Sequence, residues 1–315
     1  MTSHPAWQWG SRQHVTAVRM VVLGIWLVIV AITPYGYYAR FPEGMVAGYG
    51  LGRLLLGGHT LRAFFFSYPV LMVLKWGAMV GCALAILFPN RCRWLTPVVL
   101  VFIVVLDQLT RSLNGFINHG QLAPLLVLLV FAVFGGRRYL PSLGFRPDGD
   151  APREKGSTPP PPGGTTEFQY VPVVWLAGLM LIVPYTFIAI NRFFQGGSEL
   201  FQGDALLDYI NLTSRRYSVY GSSIFLGLIK VPWLATALKG GYLVTTLFEL
   251  SSAGVLFSRM FRRIWLLVII PFHFVTLFAM NIFFWENVLL ILVMFGWGIW
   301  IRDGSPKHGV DVPQA

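Results

Sequence analysis

Apolar residues in this chain come in long blocks, separated by short polar or basic stretches. The blocks occupy 20–33, 68–88, 95–113, 121–134, 170–190, 241–257, 264–283 and 287–301. A helix that crosses the hydrocarbon core of a bilayer needs roughly 20 mostly apolar residues. The shortest blocks are 20–33, which can begin a turn earlier, and 121–134. Backbone amides in lipid must be satisfied within their own segment, which favours helices over loops at that depth. The pattern therefore predicts an all-α, polytopic integral membrane bundle of about eight transmembrane helices. One further apolar stretch, 224–238, is interrupted by Lys230 and Pro232. Proline removes a helix donor and kinks the chain, so this stretch is expected to be a re-entrant or interfacial helix.

Basic residues supply an orientation. With the N-terminus in the cytoplasm, the cytoplasmic segments hold Arg12, Arg19, Arg91, Arg93, the stretch 137–155, the stretch 259–263, Arg302 and Lys307. The opposite short loops, 114–120 and 285–286, contain no Lys or Arg. That asymmetry is the positive-inside pattern. The longer extracytoplasmic segments, 34–67 and 191–240, do carry basic residues, but the rule weakens with loop length. Both termini are thus expected in the cytoplasm. The first apolar block lacks a cleavable-signal pattern and is expected to be retained as a helix.

The stretch GSTPPPPGGTT lies in a polar region that cannot bury a core. It divides the chain into an N-terminal half with four spans (1–136), a cytoplasmic Pro/Gly-rich linker (137–169), a C-terminal half with four spans (170–301) and a cytoplasmic tail (302–315).

Composition agrees with this picture. Hydrophobic residues make up 55% and charged residues 12%, with a mean hydropathy of +0.63. An ordinary soluble domain is about 25% charged, so a soluble enzyme, a disordered chain and a coiled coil are excluded. The net charge of +11 would suggest nucleic acid in a soluble protein. Here the basic residues flank apolar blocks, so membrane lipids are the expected partners and no nucleic acid is expected. The two cysteines, Cys82 and Cys92, and six scattered histidines offer no metal-ligand spacing. No metal is expected. GYGLGR at 48–53 follows no strand, and no nucleophile elbow or phosphate loop stands in a fitting context.

Ionisable groups inside a span are costly and usually face the bundle interior. Asp107 and Arg111 stand four apart, acid first, on one helix face. That is the favourable order for an ion pair; it either locks its own helix or joins a site. His273 sits mid-block in PFHFVTLFAMNIFF. There it can carry protons, bind a ligand or bond to a neighbouring helix. Glu249 lies mid-block in TTLFELSS and needs either a proton or a basic partner. Lys75 is a candidate partner, unless it extends its ammonium to the interface. Asn118 and His119 follow the Asp107 block on the extracytoplasmic side, where a histidine also serves as a turn or cap residue.

Four stretches in order carry a family resemblance: LDQLTRSLNGFINHGQLAPLLVLLVFA, YTFIAINRFF with LFQGDALLDYI, LFELSSAGVLFSRMFRR, and PFHFVTLFAMNIFFWENVLLI. Together they resemble the membrane core of the vitamin K-dependent gamma-carboxylase family, in its bacterial form the HTTM-domain proteins. The resemblance implies a reduced quinone as cofactor, with His119, Arg192 and His273 in the chemistry and Asn118, Arg192 and Glu249 around the cofactor. It implies a periplasmic or cell-surface peptide or protein substrate, and a bacterial cytoplasmic membrane as the location.

Arg192 falls where the family has its initiating lysine. The pKa of an arginine lies above about 12, so it is effectively always protonated and cannot act as that base. His119 or His273 would have to take the role. The animal carboxylase also has a large lumenal region after its helices, whereas only 302–315 follow the last block here. The expectation is a quinone-linked membrane enzyme rather than a working glutamate carboxylase. The alternative is a non-enzymatic membrane partner in maturation or export of a secreted peptide or toxin. A transporter ranks last, because no inverted repeat is visible.

Overall fold

The structure is a computed structural model and describes residues 12–42, 52–56, 58–89, 94–114, 119–134, 171–216, 227, 229–280 and 282–297. All regular elements among the described residues are helices: α1 (Arg12–Ile32), α2 (Tyr35–Tyr38), α3 (Gly52–Leu56), α4 (His59–Phe65), α5 (Tyr68–Leu87), α6 (Leu95–Asn114) and α7 (His119–Phe134) in the N-terminal half. The C-terminal half contributes α8 (Val171–Gly196), α9 (Glu199–Gln202), α10 (Ala205–Arg216), α11 (Pro232–Leu250), α12 (Gly254–Phe257), α13 (Arg259–Met280) and α14 (Trp285–Phe295).

Five helices are long and apolar enough to cross a membrane, over Gln13–Ile32, Tyr68–Leu87, Leu95–Leu113, Pro172–Gly196 and Arg259–Met280. Large apolar side chains such as Val73, Leu87 and Leu267 point outward from them. An apolar outer surface on an apolar-cored bundle is what a lipid-embedded helix requires. The chain is read accordingly as an integral membrane protein.

The helices pack mostly in chain order: α5 on α6, α6 on α7, α7 along α8, α8 on α11, and α11 on α13. Two contacts close the bundle. α1 packs on α5 and α7, and α14 sits among α1, α7, α8 and α13. The core beneath these contacts holds Trp26, Ile103, Leu128, Leu181, Trp265 and Phe295, all essentially inaccessible. A small separate cluster, Leu206, Ile210, Ala279 and Met280, joins α10 to α13.

Several boundaries differ from the sequence pattern. α1 begins at Arg12 rather than near 20, and α13 covers Arg259–Met280 rather than 264–283, so Arg19 and the basic stretch 259–263 lie on helices. α8 does not stop at 190 but runs to Gly196, which places Asn191 and Arg192 on the helix. It ends where Gly197 takes a positive φ of 51°, a backbone state that favours glycine just past a helix end. The block expected at 241–257 is instead a helix over Pro232–Leu250, followed by a break and the short α12. Pro232 kinks nothing because it occupies the first turn, with Val231 extended before it; a proline there lacks an N–H that would have no helical partner anyway. The later part of 224–238 is therefore the start of a long helix, not a separate interfacial piece. The block at 287–301 begins at Trp285. The linker expected at 137–169, the tail at 302–315 and Cys92 lie outside the described residues.

Candidate functional site in the C-terminal half

Three helices meet around Arg192. Tyr185 and Arg192 stand seven apart, on one face of α8. Tyr242, Thr246 and Glu249 follow the same face of α11, and Phe272 and His273 come from α13. Arg192 Nη1 donates to Thr246 Oγ1 at 3.3 Å and forms an ion pair with Glu249. The guanidinium carbon lies 4.8 Å from the Tyr242 ring centroid and 5.8 Å from that of Phe272, both within cation–π range. The Glu249 side chain is 2% exposed and that of Arg192 18%. The carboxylate is thus sealed in the bundle, while the arginine keeps an accessible edge. Arginine has five N–H donors, and Nη1 serves both Thr246 and Glu249.

Beside this pair is a second polar group. The Tyr185 hydroxyl lies 2.9 Å from His273 Nε2, and both side chains are buried. Trp265 stacks edge-on against Tyr185 at 5.8 Å, and Phe284 against His273 at 5.8 Å. Asn287 lies within hydrogen-bonding reach of the same hydroxyl, and Glu249 and Glu286 act on it electrostatically. His273 Nδ1, Glu286 Oε2 and Asn287 Oδ1 have no partner among the described residues. Buried polar atoms are usually paired, so spare hydrogen-bonding capacity exists here, as it does at Asp107 Oδ1 and Arg111 Nη2 of α6. Arg192 is also close enough to His273 to act on it electrostatically.

Of the residues singled out by the sequence, Arg192, Glu249 and His273 are brought together. His119 opens α7, but its side chain, like all of Asn118, lies outside the described residues. Its neighbour Gly120 packs tightly against α14. A Cβ there would fall 2.6 Å from Glu286 Oε1 and 2.9 Å from the Phe284 ring. The start of α7 therefore abuts Glu286, which also acts on Tyr185.

Lys75 is not the partner of Glu249. It donates to the carbonyls of Ala31 and Thr33 at 3.0 Å each, tying α5 to the end of α1. Those carbonyls belong to the last helical turn or just beyond it, where a cation is favoured. Asp107 and Arg111 form an ion pair of 2.7 Å within α6. Gln108 joins them by donating to Asp107 at 3.2 Å and accepting from the Gly52 amide at 3.2 Å. Tyr35 and Tyr38 of α2 pack beside Thr110, and burial pushes both phenols up, so both remain hydroxyl donors.

Sequence reasoning missed Tyr185, Tyr242, Thr246, Phe272, Glu286 and Asn287. The Tyr242–Thr246–Glu249 spacing, which puts three polar groups on one helical face, was the readable signal.

A cavity of about 280 Å³ lies between α10, α11 and α13, lined mainly by apolar side chains including Leu206, Ile210, Leu234, Val268 and Met280. Tyr242 and Phe272 form part of its wall, and the same two rings hold Arg192. Compared with protein-family models, curated proteins and solved structures, the chain shows no match.

Proposed function

We propose that this is a membrane protein with a core like that of the vitamin K-dependent gamma-carboxylases, and that it uses a lipid-soluble quinone at the Arg192 cluster. It would act on an extracytoplasmic substrate without being a working glutamate carboxylase. The observation that carries the reading is the clustering of Arg192, Glu249, Tyr185 and His273 inside an apolar bundle. Intramembrane ionisable groups are costly and commonly mark a site.

The donor set fits a quinone. A reduced quinone, when bound, supplies two electrons and two protons. Arg192 would orient a ligand oxygen through its accessible edge and stabilise negative charge on it. An arginine side chain does not serve as a proton acceptor. His273, with an unpartnered Nδ1, would offer a hydrogen-bonding atom to the ligand, with Tyr185 holding the ring through Nε2. Glu249 holds Arg192 in position and neutralises it.

In an eight-span arrangement, α7, α11 and α14 would join the five longer helices. With both termini cytoplasmic, Arg192 lies toward the extracytoplasmic end of α8. This orientation rests on the placement of basic residues and suits a bacterial cytoplasmic membrane.

One observation favours a second reading, the non-enzymatic partner in peptide or toxin maturation or export. The Arg192 charge is already matched by Glu249 inside the protein, as in a purely structural pair. Binding of menaquinone to the full chain in nanodiscs separates the two. Saturable binding that is weakened by Arg192→Ala and His273→Ala, with His119→Ala measured alongside, supports the quinone site. Absence of binding to the wild type removes the quinone reading and leaves the partner role.

A further inference from the structure

We infer that the cavity between α10, α11 and α13 is a lipid site, which takes the acyl chain of a neutral glycerolipid from the surrounding bilayer. This goes beyond the quinone reading and does not depend on it.

The walls present hydrocarbon. The threonine hydroxyls among the lining residues already donate, Thr245 to the Gly241 carbonyl at 2.8 Å and Thr276 to the His273 carbonyl at 2.8 Å, and the Tyr242 ring is covered by the Arg192 guanidinium. A largely apolar cavity accepts apolar guests.

The opening faces lipid. Gly241 and Val275 line the cavity and are themselves exposed, and both belong to helices that pack in the bundle. A guest therefore enters sideways from the hydrocarbon. α10 supplies the opposite wall through Leu206 and Ile210, while Tyr209 and Leu212 of the same helix stay exposed. A short helix that is apolar on one face and also bears Asp208 and Asn211 suits the membrane interface, which is where a lipid's headgroup sits.

Charge favours a neutral headgroup. The ion pairs beside the cavity are each internally matched: Arg192 with Glu249 behind the Tyr242 and Phe272 rings, and Lys239 with Asp204 between α11 and the start of α10.

Two glycines make a matched test. A Cβ at Gly240 or at Gly241 meets nothing within 4 Å, but only Gly241 is among the cavity-lining residues. The Cβ of a leucine fits without contact at either position, and leucine has the better helix propensity. The experiment is native mass spectrometry of the delipidated full chain titrated with monoolein.

The expected result is one saturable monoolein adduct, weakened about tenfold or more by Gly241→Leu, the loss of roughly two methylenes of buried contact. Gly240→Leu should bind like wild type. Equal weakening in both variants, or in neither, would mean a non-specific lipid belt and overturn the proposal. So would competition between menaquinone and monoolein, which would assign the cavity to the quinone instead. Menaquinone binding that persists in Gly241→Leu keeps the two sites distinct, whichever way the quinone reading itself is decided.

Discussion

Among the described residues each half of the bundle holds a buried ion pair, and the two are built differently. Asp107 and Arg111 lie one turn apart on α6, at 2.7 Å, and are tied into their surroundings by Gln108 and the Gly52 amide. Arg192 and Glu249 come from α8 and α11, are separated by 57 positions, and are framed by rings from α11 and α13. The first pair neutralises itself as soon as its helix forms and can enter the bilayer as a unit. The second exists only after α8 and α11 have docked, so its charges are held apart until then. A pair of that kind gives up stability whenever one partner is lost. On this contrast the α6 pair is structural, and the inter-helix pair is the one proposed as a site.

The largest expected effect comes from leaving a charge alone. Glu249→Leu should lower stability by about 3–5 kcal/mol, because Arg192 cannot shed its proton. Arg192→Leu should cost less, because a glutamate can take up a proton and become neutral. Thermal unfolding in nanodiscs measures both, and an equal or reversed order would count against the buried-pair account.

Next is the close approach of α7 to α14. Gly120→Ala places a methyl group against Glu286 Oε1 and the Phe284 ring. A loss of about 1–3 kcal/mol is expected from such overpacking. Adding Glu286→Ala should recover part of it; no recovery would mean that Phe284 alone makes the clash.

Smaller still is Tyr185→Phe, which removes the 2.9 Å contact with His273. Interhelical hydrogen bonds in membranes contribute on average about 0.6 kcal/mol, so the melting temperature should barely move. Menaquinone affinity, if His273 must be held in one orientation, should fall more than stability does. Parallel losses in both would reduce Tyr185 to a packing residue.

The smallest effect is expected for Asp107→Leu with Arg111→Leu. Replacing both members of a buried pair with apolar residues is often neutral. A stability within about 1 kcal/mol of wild type is predicted, and a collapse would show that the α6 pair has an obligatory partner.

The helical, lipid-facing character of the chain was legible because apolar block length is a one-dimensional property. The Asp107–Arg111 pair was legible for the same reason: helical periodicity converts a spacing of four into a contact. Arg192 and Glu249 each stood out in the sequence, but their pairing did not, because nothing local encodes which helices become neighbours. Lys75 was an equally reasonable partner on paper, yet the carbonyls at the end of α1 hold it. The 241–257 block was misplaced because Pro232 reads as a breaker, whereas at a helix start it is a good first residue. Tyr185, Glu286 and Asn287 escaped notice because a tyrosine in an apolar block and two polar residues in a short turn are common. Only their convergence on one hydroxyl makes them informative.

The most direct measurement is the menaquinone affinity of two double variants compared with wild type, by tryptophan-fluorescence quenching in nanodiscs. Asp107→Leu/Arg111→Leu should bind like wild type, whereas Arg192→Leu/Glu249→Leu should lose saturable binding while remaining folded. Binding that survives in both variants, or disappears equally from both, would contradict the assignment of the site to the inter-helix pair.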